Sequence, residues 1–292
     1  MRNDKSPRSY YALMHFIIFV WGFTAVLGAL ISLKPIALTW YRLLISVVLL
    51  AIWIIFIRKK KIILTAYDLK RIAWNGILIG LHWLLFFKAI KTGGVSVTLV
   101  AMSSGAFFTS ILEPFIYGKK IKFYEILFGL LVIIVMYFTF KISHVNWLAV
   151  FFGIAAAFFG SLFSIFNARL IHRFPATVLS FYELLFAWIL IGIIILFSEN
   201  YNDLFKVTLQ DAIWLFILGS ICTAYAFTVS LEILRKISPF TLTLSINLEP
   251  VYGIILALLI FGDKEKMPAG FYIGAFFILL IVTAEGIIKL RK

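Results

Sequence analysis

Hydrophobic and polar positions follow each other in long blocks along this chain, with apolar runs separated by short polar connections. A bilayer core about 30 Å thick takes roughly 20 helical residues to cross, so each run predicts a transmembrane helix. We expect such helices at residues 10–31, 36–57, 70–90, 95–117, 124–140, 147–170, 176–197, 212–234, 239–261 and 268–288. The pattern predicts an all-α integral membrane protein with ten transmembrane helices.

Composition agrees with this prediction. The chain is 63% hydrophobic and 14% charged, with a mean hydropathy of +1.06. A water-soluble domain of 292 residues needs far more polar surface than this. The connections are too short to hold a soluble domain, so we expect the function to be exercised within or across a lipid bilayer.

The net charge of +14 reflects how the Lys and Arg residues are distributed between the two sides of the membrane. If residues 1–9 are cytoplasmic, 19 of the 27 Lys and Arg residues fall in cytoplasmic segments. This bias is the positive-inside signature of membrane proteins. It predicts that both termini, residues 1–9 and 289–292, lie in the cytoplasm, and it gives no reason to expect a nucleic-acid partner.

A weak internal repeat divides the chain into two halves. A shift of 144 residues overlays 88–121 on 232–265 without a gap, and Lys91 then meets Arg235. Each half holds five predicted helices, so the second half enters the membrane from the opposite side. We therefore expect two inverted five-helix repeats, at 10–140 and 147–288, with a pathway near their interface.

Three sequence segments carry a resemblance to a known family. They are "VWGFTAVLGALISLKP" in the first helix, Arg42 in "YRLL", and "LEPVYGIILALLIFGDKEKMPAGFYIGAFFILLI" in the second half. Together with ten spans in two halves, they resemble the EamA-like branch of the drug/metabolite transporter superfamily over roughly residues 12–288. The resemblance implies a permease of the bacterial cell inner membrane that exports amino acids or related metabolites.

Glu249 is the strongest candidate for a functional group at membrane depth. It lies about ten residues into the ninth predicted helix, where a charge is costly unless it is paired or hydrated. A carboxyl group there could bind a substrate ammonium, carry a proton, or serve as a structural hydrogen-bonding group, and the sequence leaves these alternatives open. The other candidates for lining a substrate cavity are polar or aromatic residues within predicted helices: Asn247, Ser103, Ser104, His82, Trp83 and Tyr225.

Two pairs of opposite charges occupy equivalent positions in the two halves. Arg42 matches Glu183, and Lys88 matches Glu232. These four residues are candidates for gates or ion pairs. In the alternative interpretation, the basic side chains snorkel to the membrane interface and the carboxylates pair with Arg residues such as Arg235.

The sequence offers little support for catalysis. Its single cysteine is Cys222, its four histidines lack metal-ligand spacing, and it has no nucleophile motif or nucleotide-binding loop. We expect a transporter that is not an enzyme and uses no cofactor, with a small-molecule substrate and the lipid bilayer as its partners. The alternative function is that of a flippase or scramblase for lipids or lipid-linked sugars. Substrate, direction, proton coupling and oligomeric state, including a homodimer, stay open.

Overall fold

The computed structural model describes residues 7–58, 64–118, 120, 123–198, 204, 206–236, 242 and 245–290. All regular structure in these ranges is helical, which confirms the all-α prediction. The helices are α1 (Pro7–Leu30), α2 (Pro35–Ile52), α3 (Ala66–Met102), α4 (Gly105–Tyr117), α5 (Phe123–Ile142), α6 (Trp147–Leu170), α7 (Ala176–Leu196), α8 (Leu209–Gly219), α9 (Ala226–Leu234), α10 (Glu249–Phe261) and α11 (Ala269–Leu290). A π-helical segment, Ser220–Tyr225, joins α8 to α9, and another, Trp53–Arg58, extends α2.

The helices have the dimensions of membrane spans. Within the described ranges, seven helices are long and apolar enough to cross a bilayer, counting Leu209–Leu234 as one. Each of the ten predicted segments also contains helix. The chain is therefore a multi-pass membrane protein.

The third and fourth predicted helices are separated where the prediction placed a connection, at residues 91–94. Although α3 runs from Ala66 to Met102, Gly94 within it has φ 84° and ψ 174°, which is not helical and which residues with a side chain rarely adopt. The fourth predicted span is itself interrupted, because Ser103 and Ser104 form a turn between α3 and α4.

The chain reverses direction at Gly94. His82 precedes it and contacts the carbonyl oxygen of Ala156 at 2.8 Å, while the Gly105 carbonyl accepts a hydrogen bond from Ser161 at 2.9 Å. A straight helix from His82 to Gly105 would span about 35 Å, yet their partners on α6 lie only about 8 Å apart along that helix. The two arms of α3 therefore lie side by side against α6.

The ninth predicted span, 239–261, begins among residues outside the described ranges. Its described part has a turn at 247–248, and α10 starts directly afterwards at Glu249. Pro250 occupies the first turn of α10, where its missing N–H removes no helical hydrogen bond. Glu249 is therefore a helix-start residue, whereas the prediction placed it in the middle of a continuous helix.

Glycines bring helices around the centre of the bundle into close contact. A Cβ atom on Gly22 of α1 would lie 2.9 Å from the backbone nitrogen of Gly253 of α10. A Cβ on Gly76 of α3 would lie 2.5 Å from the carbonyl oxygen of Glu183 of α7. Backbones approach this closely in membrane proteins because small residues leave the space for it. These contacts hold α1 against α10 and α3 against α7.

Candidate functional site

A cavity of about 150 Å³ lies between α1, α2, α3, α4, α6, α9 and the start of α10. Its wall is largely apolar and includes the rings of Trp83, Phe163 and Phe227. The cavity reaches Leu234, the last residue of α9. Its other lining residues include several polar side chains from separate helices: Thr24, Arg42, Thr109, Ser161, Ser164, Asn167, Ser230, Asn247 and Glu249.

Arg42 on α2 is the charged group most deeply buried at this wall, with 1% of its surface exposed. Its Nε donates a hydrogen bond to Thr223 Oγ1 at 2.7 Å. Its guanidinium carbon lies 4.0 Å from the ring centre of Trp83 and 5.3 Å from that of Phe87, distances at which a cation is attracted to an aromatic face. Nη1 has no hydrogen-bond partner among the described residues. The cation is thus held in place while one of its donors is left unused.

The π-helical segment positions the group that holds Arg42. Thr223 Oγ1 donates to the carbonyl oxygen of Leu218, five residues earlier, at 2.7 Å. Because its hydrogen is used in that bond, the Thr223 oxygen presents a lone pair to Arg42. Gly219 lets α2 approach, since a Cβ there would lie 3.1 Å from the Arg42 carbonyl oxygen. Ser46 Oγ, within hydrogen-bond distance of the Gly219 carbonyl at 2.7 Å, ties the two helices together at the same level.

Glu249 brings a carboxyl group to the same cavity. It is half-buried, and the structure shows no ion pair between it and Arg42 within the described ranges. Asn247, two residues earlier, also lines the wall. The site therefore combines one cation, one carboxyl group and apolar rings around a small space.

His82 and Trp83 both lie on the cavity wall. His82 contacts the Ala156 carbonyl through Nδ1 at 2.8 Å, and this geometry requires that Nδ1 carry the hydrogen. The Trp83 ring lies edge-on to Phe227, with 6.0 Å between ring centres, on the wall that also holds Arg42. These two predicted residues are thus brought together with Glu249 and Asn247.

The remaining candidates for substrate binding lie elsewhere. Ser103 lines a second cavity of about 250 Å³, which also touches Asn247 and Pro250. Ser104 is buried and donates to the Ala101 carbonyl at 2.7 Å. Tyr225 is 48% exposed and does not line the central cavity.

The four residues predicted as gates or ion pairs form no pairs with each other in the described part of the chain. Glu183 is fully buried and bonds to Asn75 and Asn167. Lys88 Nζ lies 5.6 Å from the Phe152 ring centre. Glu232 lies 3.4 Å from Arg235, which corresponds to the alternative interpretation of a surface pair.

Comparison with known proteins identifies the chain. The model of the EamA-like transporter family matches residues 8–141 and again residues 147–284. The chain belongs to the EamA-like transporter family. This confirms the resemblance noted in the sequence and places the protein in the drug/metabolite transporter superfamily.

One curated protein and one solved structure are similar to this EamA-like transporter. A Clostridium kluyveri protein described as an uncharacterized transporter is 25% identical over 245 residues, covering 80% of this chain and 78% of that protein. A solved crystal structure of a protein superposes with a TM-score of 0.68 at 16% identity, over 98% of this chain and 100% of that chain. The second likeness shows the fold alone.

Some contacts within the site of the EamA-like transporter escaped sequence reasoning. Thr223 gave no signal, because its role depends on the π-helical segment and on contact with α2. Asn75 and Asn167 are amides inside apolar helices, which marks them as unusual, but their convergence on Glu183 needs three helices. Within the described ranges, no group of three His, Cys, Asp or Glu side chains lies close enough to hold a metal ion.

Proposed function

We propose that this EamA-like transporter is a permease of the bacterial inner membrane that exports small amphoteric metabolites, such as amino acids or related amines. Transport proceeds by alternating access at the central cavity, between inverted repeats at 10–140 and 147–288. The observation that carries the proposal is the presence of a guanidinium group, Arg42, and a carboxyl group, Glu249, on the wall of one largely apolar cavity.

Arg42 is suited to a substrate carboxylate. A guanidinium presents a planar set of N–H groups that matches the two oxygens of a carboxylate. Nη1 is buried without a partner among the described residues, and a buried unsatisfied donor is costly. A carboxylate that enters the cavity supplies the missing acceptor, while Glu249 is available for the ammonium group of the same molecule.

The volume and lining of the cavity favour a small solute with an apolar body. A cavity of about 150 Å³ is the size that holds a benzene-sized molecule. Trp83, Phe163 and Phe227 provide apolar contact for a side chain. This supports an amino acid or amine over a lipid-linked sugar.

Equivalent contacts in the two halves support the repeat arrangement. Lys91 Nζ donates to the carbonyl oxygen of Ile31, just after α1, and Arg235 Nε donates to that of Ile171, just after α6, at 3.1 Å. The 144-residue shift overlays Lys91 on Arg235. The two matches of one family model add to this support.

A second set of equivalent contacts links the halves to each other. Asp68 lies in the first turn of α3 and Asp211 in the first turn of α8, each beside a capping Thr three residues earlier. Asp68 pairs with Arg173 at 3.4 Å, and Asp211 accepts two hydrogen bonds from Ser32, both at 2.6 Å. In an inverted pair of repeats these contacts lie at opposite membrane surfaces, where each can open and close one entrance.

The position of the cavity is consistent with entry of a solute from the cytoplasm, as export requires. It reaches Leu234, at the end of the bundle that the distribution of Lys and Arg assigns to the cytoplasm. At the other end, Asp211 holds Ser32, and Glu265 accepts backbone hydrogen bonds from Val95 at 2.8 Å and Ser96 at 3.1 Å. A solute would thus enter this conformation from the cytoplasm.

The test compares metabolites in spent medium from cells that overproduce the wild type, Glu249→Gln or Glu232→Gln at matched membrane levels. Glu232→Gln is the control, because Glu232 pairs with Arg235 outside the cavity. We expect a small set of amino acids or amines to be enriched with the wild type and the control, but not with Glu249→Gln. Equal enrichment by Glu249→Gln, or enrichment of no soluble metabolite, would contradict the proposal.

A further inference from the structure

We infer that Glu183 is a proton-binding site, distinct from the substrate cavity and connected to it by Asn167, and that its protonation drives the transport cycle. The coupling to a solute rests on the proposed function, whereas proton binding by Glu183 can be tested without it.

The inference starts from the hydrogen bonds of the Glu183 carboxyl group. Glu183 is fully buried on α7. Asn75 Nδ2 from α3 donates to Oε1 at 2.8 Å. In the amide orientation that satisfies its hydrogen bonds, the Asn167 nitrogen from α6 donates to Oε1 at 2.6 Å and lies 3.3 Å from Oε2. Oε1 thus carries two short hydrogen bonds, while Oε2 has one long contact and is the oxygen available for a proton.

The surroundings of Glu183 provide no balancing cation among the described residues. Charged and titratable side chains on the helices nearby are engaged elsewhere: Arg42 with Thr223, Asp68 with Arg173, Arg71 with Tyr67, His82 with Ala156, Lys88 with Phe152, Arg169 with Tyr117 and Glu232 with Arg235. A buried carboxylate without a cation is costly even when two amides donate to it. Uptake of one proton removes that charge without moving a helix.

The orientation of the amides favours a proton over a metal ion. Na⁺, like Ca²⁺ and Mg²⁺, binds through oxygen ligands, but Asn75 directs its nitrogen at the carboxyl group, and Asn167 does so in the amide orientation that satisfies its hydrogen bonds. Asn75 Oδ1 is buried and has no hydrogen-bond partner within the described part of the chain. The cluster therefore contains an unused acceptor and gains a donor when Glu183 takes up a proton.

Asn167 connects this site to the substrate cavity. It lies on the cavity wall and donates to Glu183 with the same side chain. A solute that holds Asn167 against Glu183 strengthens its hydrogen bonds to the carboxylate and favours release of the proton, whereas protonation of Glu183 frees Asn167 to move into the cavity in place of the solute. In each cycle Oε2 accepts one proton from water on one side of the membrane and releases the same proton on the other, as one solute moves in the opposite direction.

The first test measures proton binding directly. Infrared difference spectra between acidic and alkaline buffer are recorded for purified wild type, Glu183→Gln and Glu232→Gln in lipid. We expect the wild type and Glu232→Gln to show a C=O band of a protonated carboxyl group that Glu183→Gln lacks. Difference spectra of Glu183→Gln identical to those of the wild type would overturn the inference. Glu183→Asp, which retains a carboxyl group, is expected to keep a shifted band and so checks that loss of the band is not loss of the fold.

The second test separates coupling from transport, with L-leucine as the probe in reconstituted vesicles. For one proton per solute, a gradient of one pH unit supports an accumulation of about tenfold in the wild type. Glu183→Gln is expected to lose this accumulation but to keep exchange of labelled for unlabelled leucine, which needs no net proton movement. Accumulation by Glu183→Gln at the wild-type level would overturn the coupling. Absence of leucine exchange in the wild type would count against the proposed function, while the infrared spectra still decide the proton site.

Discussion

Replacement of Arg42 by Lys tests how the cavity recognises a carboxylate. Lysine keeps the positive charge but loses the planar set of donors. It has no counterpart of Nε, so the 2.7 Å hydrogen bond to Thr223 is lost, and the ammonium group is no longer fixed at one position over Trp83. We therefore expect Arg42→Lys to reach the membrane and to transport solutes with reduced affinity.

The size of the loss follows from the hydrogen bonds involved. A hydrogen bond to a charged group contributes about 1.5–3 kcal/mol. Arg42→Lys retains the charge but removes one of two bonds to a carboxylate, so the concentration of amino acid that gives half-maximal transport should rise about 10- to 100-fold. An amine without a carboxylate makes no such bond. The amine concentration that gives half-maximal transport should therefore change about threefold at most, through small changes in packing.

The assay measures uptake into inverted membrane vesicles for L-leucine and for isoamylamine, which differ only in the carboxylate. The ratio of the two half-saturation concentrations, compared between the wild type and Arg42→Lys, isolates the interaction between Arg42 and the carboxylate. Equal losses for both solutes would refute the reasoning, because Arg42 would then act only through the structure of the cavity. A smaller loss for leucine than for the amine would refute it as well.

Three further changes have defined expectations. Glu249→Gln should lower the affinity for leucine about tenfold through loss of a charged partner for the ammonium group, and an unchanged affinity in the vesicle assay would contradict this. Glu265→Gln should destabilise the protein by about 1 kcal/mol because it weakens the cap at Val95 and Ser96, which thermal unfolding in detergent would detect as a lower midpoint. Gly76→Leu should abolish the folded protein on size-exclusion chromatography, since its Cβ would lie 2.5 Å from the Glu183 carbonyl oxygen. Gly118→Ala is the control: no atom lies within 4 Å of its Cβ, so it should cost only the strain of φ 65°.

The helical architecture could be predicted from the sequence because a lipid bilayer restricts the structures that can cross it. A chain with ten apolar runs has few alternatives to helices, since backbone groups in lipid must be paired within each segment. Glu249, His82 and Trp83 stand out for the same reason, as polar or amphipathic groups in apolar runs. These residues meet at one cavity, although the sequence said nothing about how the cavity closes.

Other features depend on local geometry that no hydropathy pattern contains. A connection at 91–94 was predicted from the sequence, but only the contacts with α6 show that the chain folds back there along that helix. The pairing of Arg42 with Glu183 was suggested by their equivalent positions, but equivalence in inverted halves places residues on different sides of the bundle centre. Glu183 instead binds two amides, and Arg42 binds a hydroxyl group.

The π-helical segment Ser220–Tyr225 has a consequence for how this protein can vary among its relatives. A π turn amounts to one extra residue in an α-helix, and each residue of an α-helix turns the chain by about 100°. Loss of a single residue within Ser220–Tyr225 would leave the span helical and apolar, yet would rotate one side of it relative to the other and carry Thr223 away from Arg42. Relatives of equal hydropathy that differ by one residue at this position would thus present a different inner surface to the solute, so that a change of specificity can arise from a deletion that leaves the membrane topology intact.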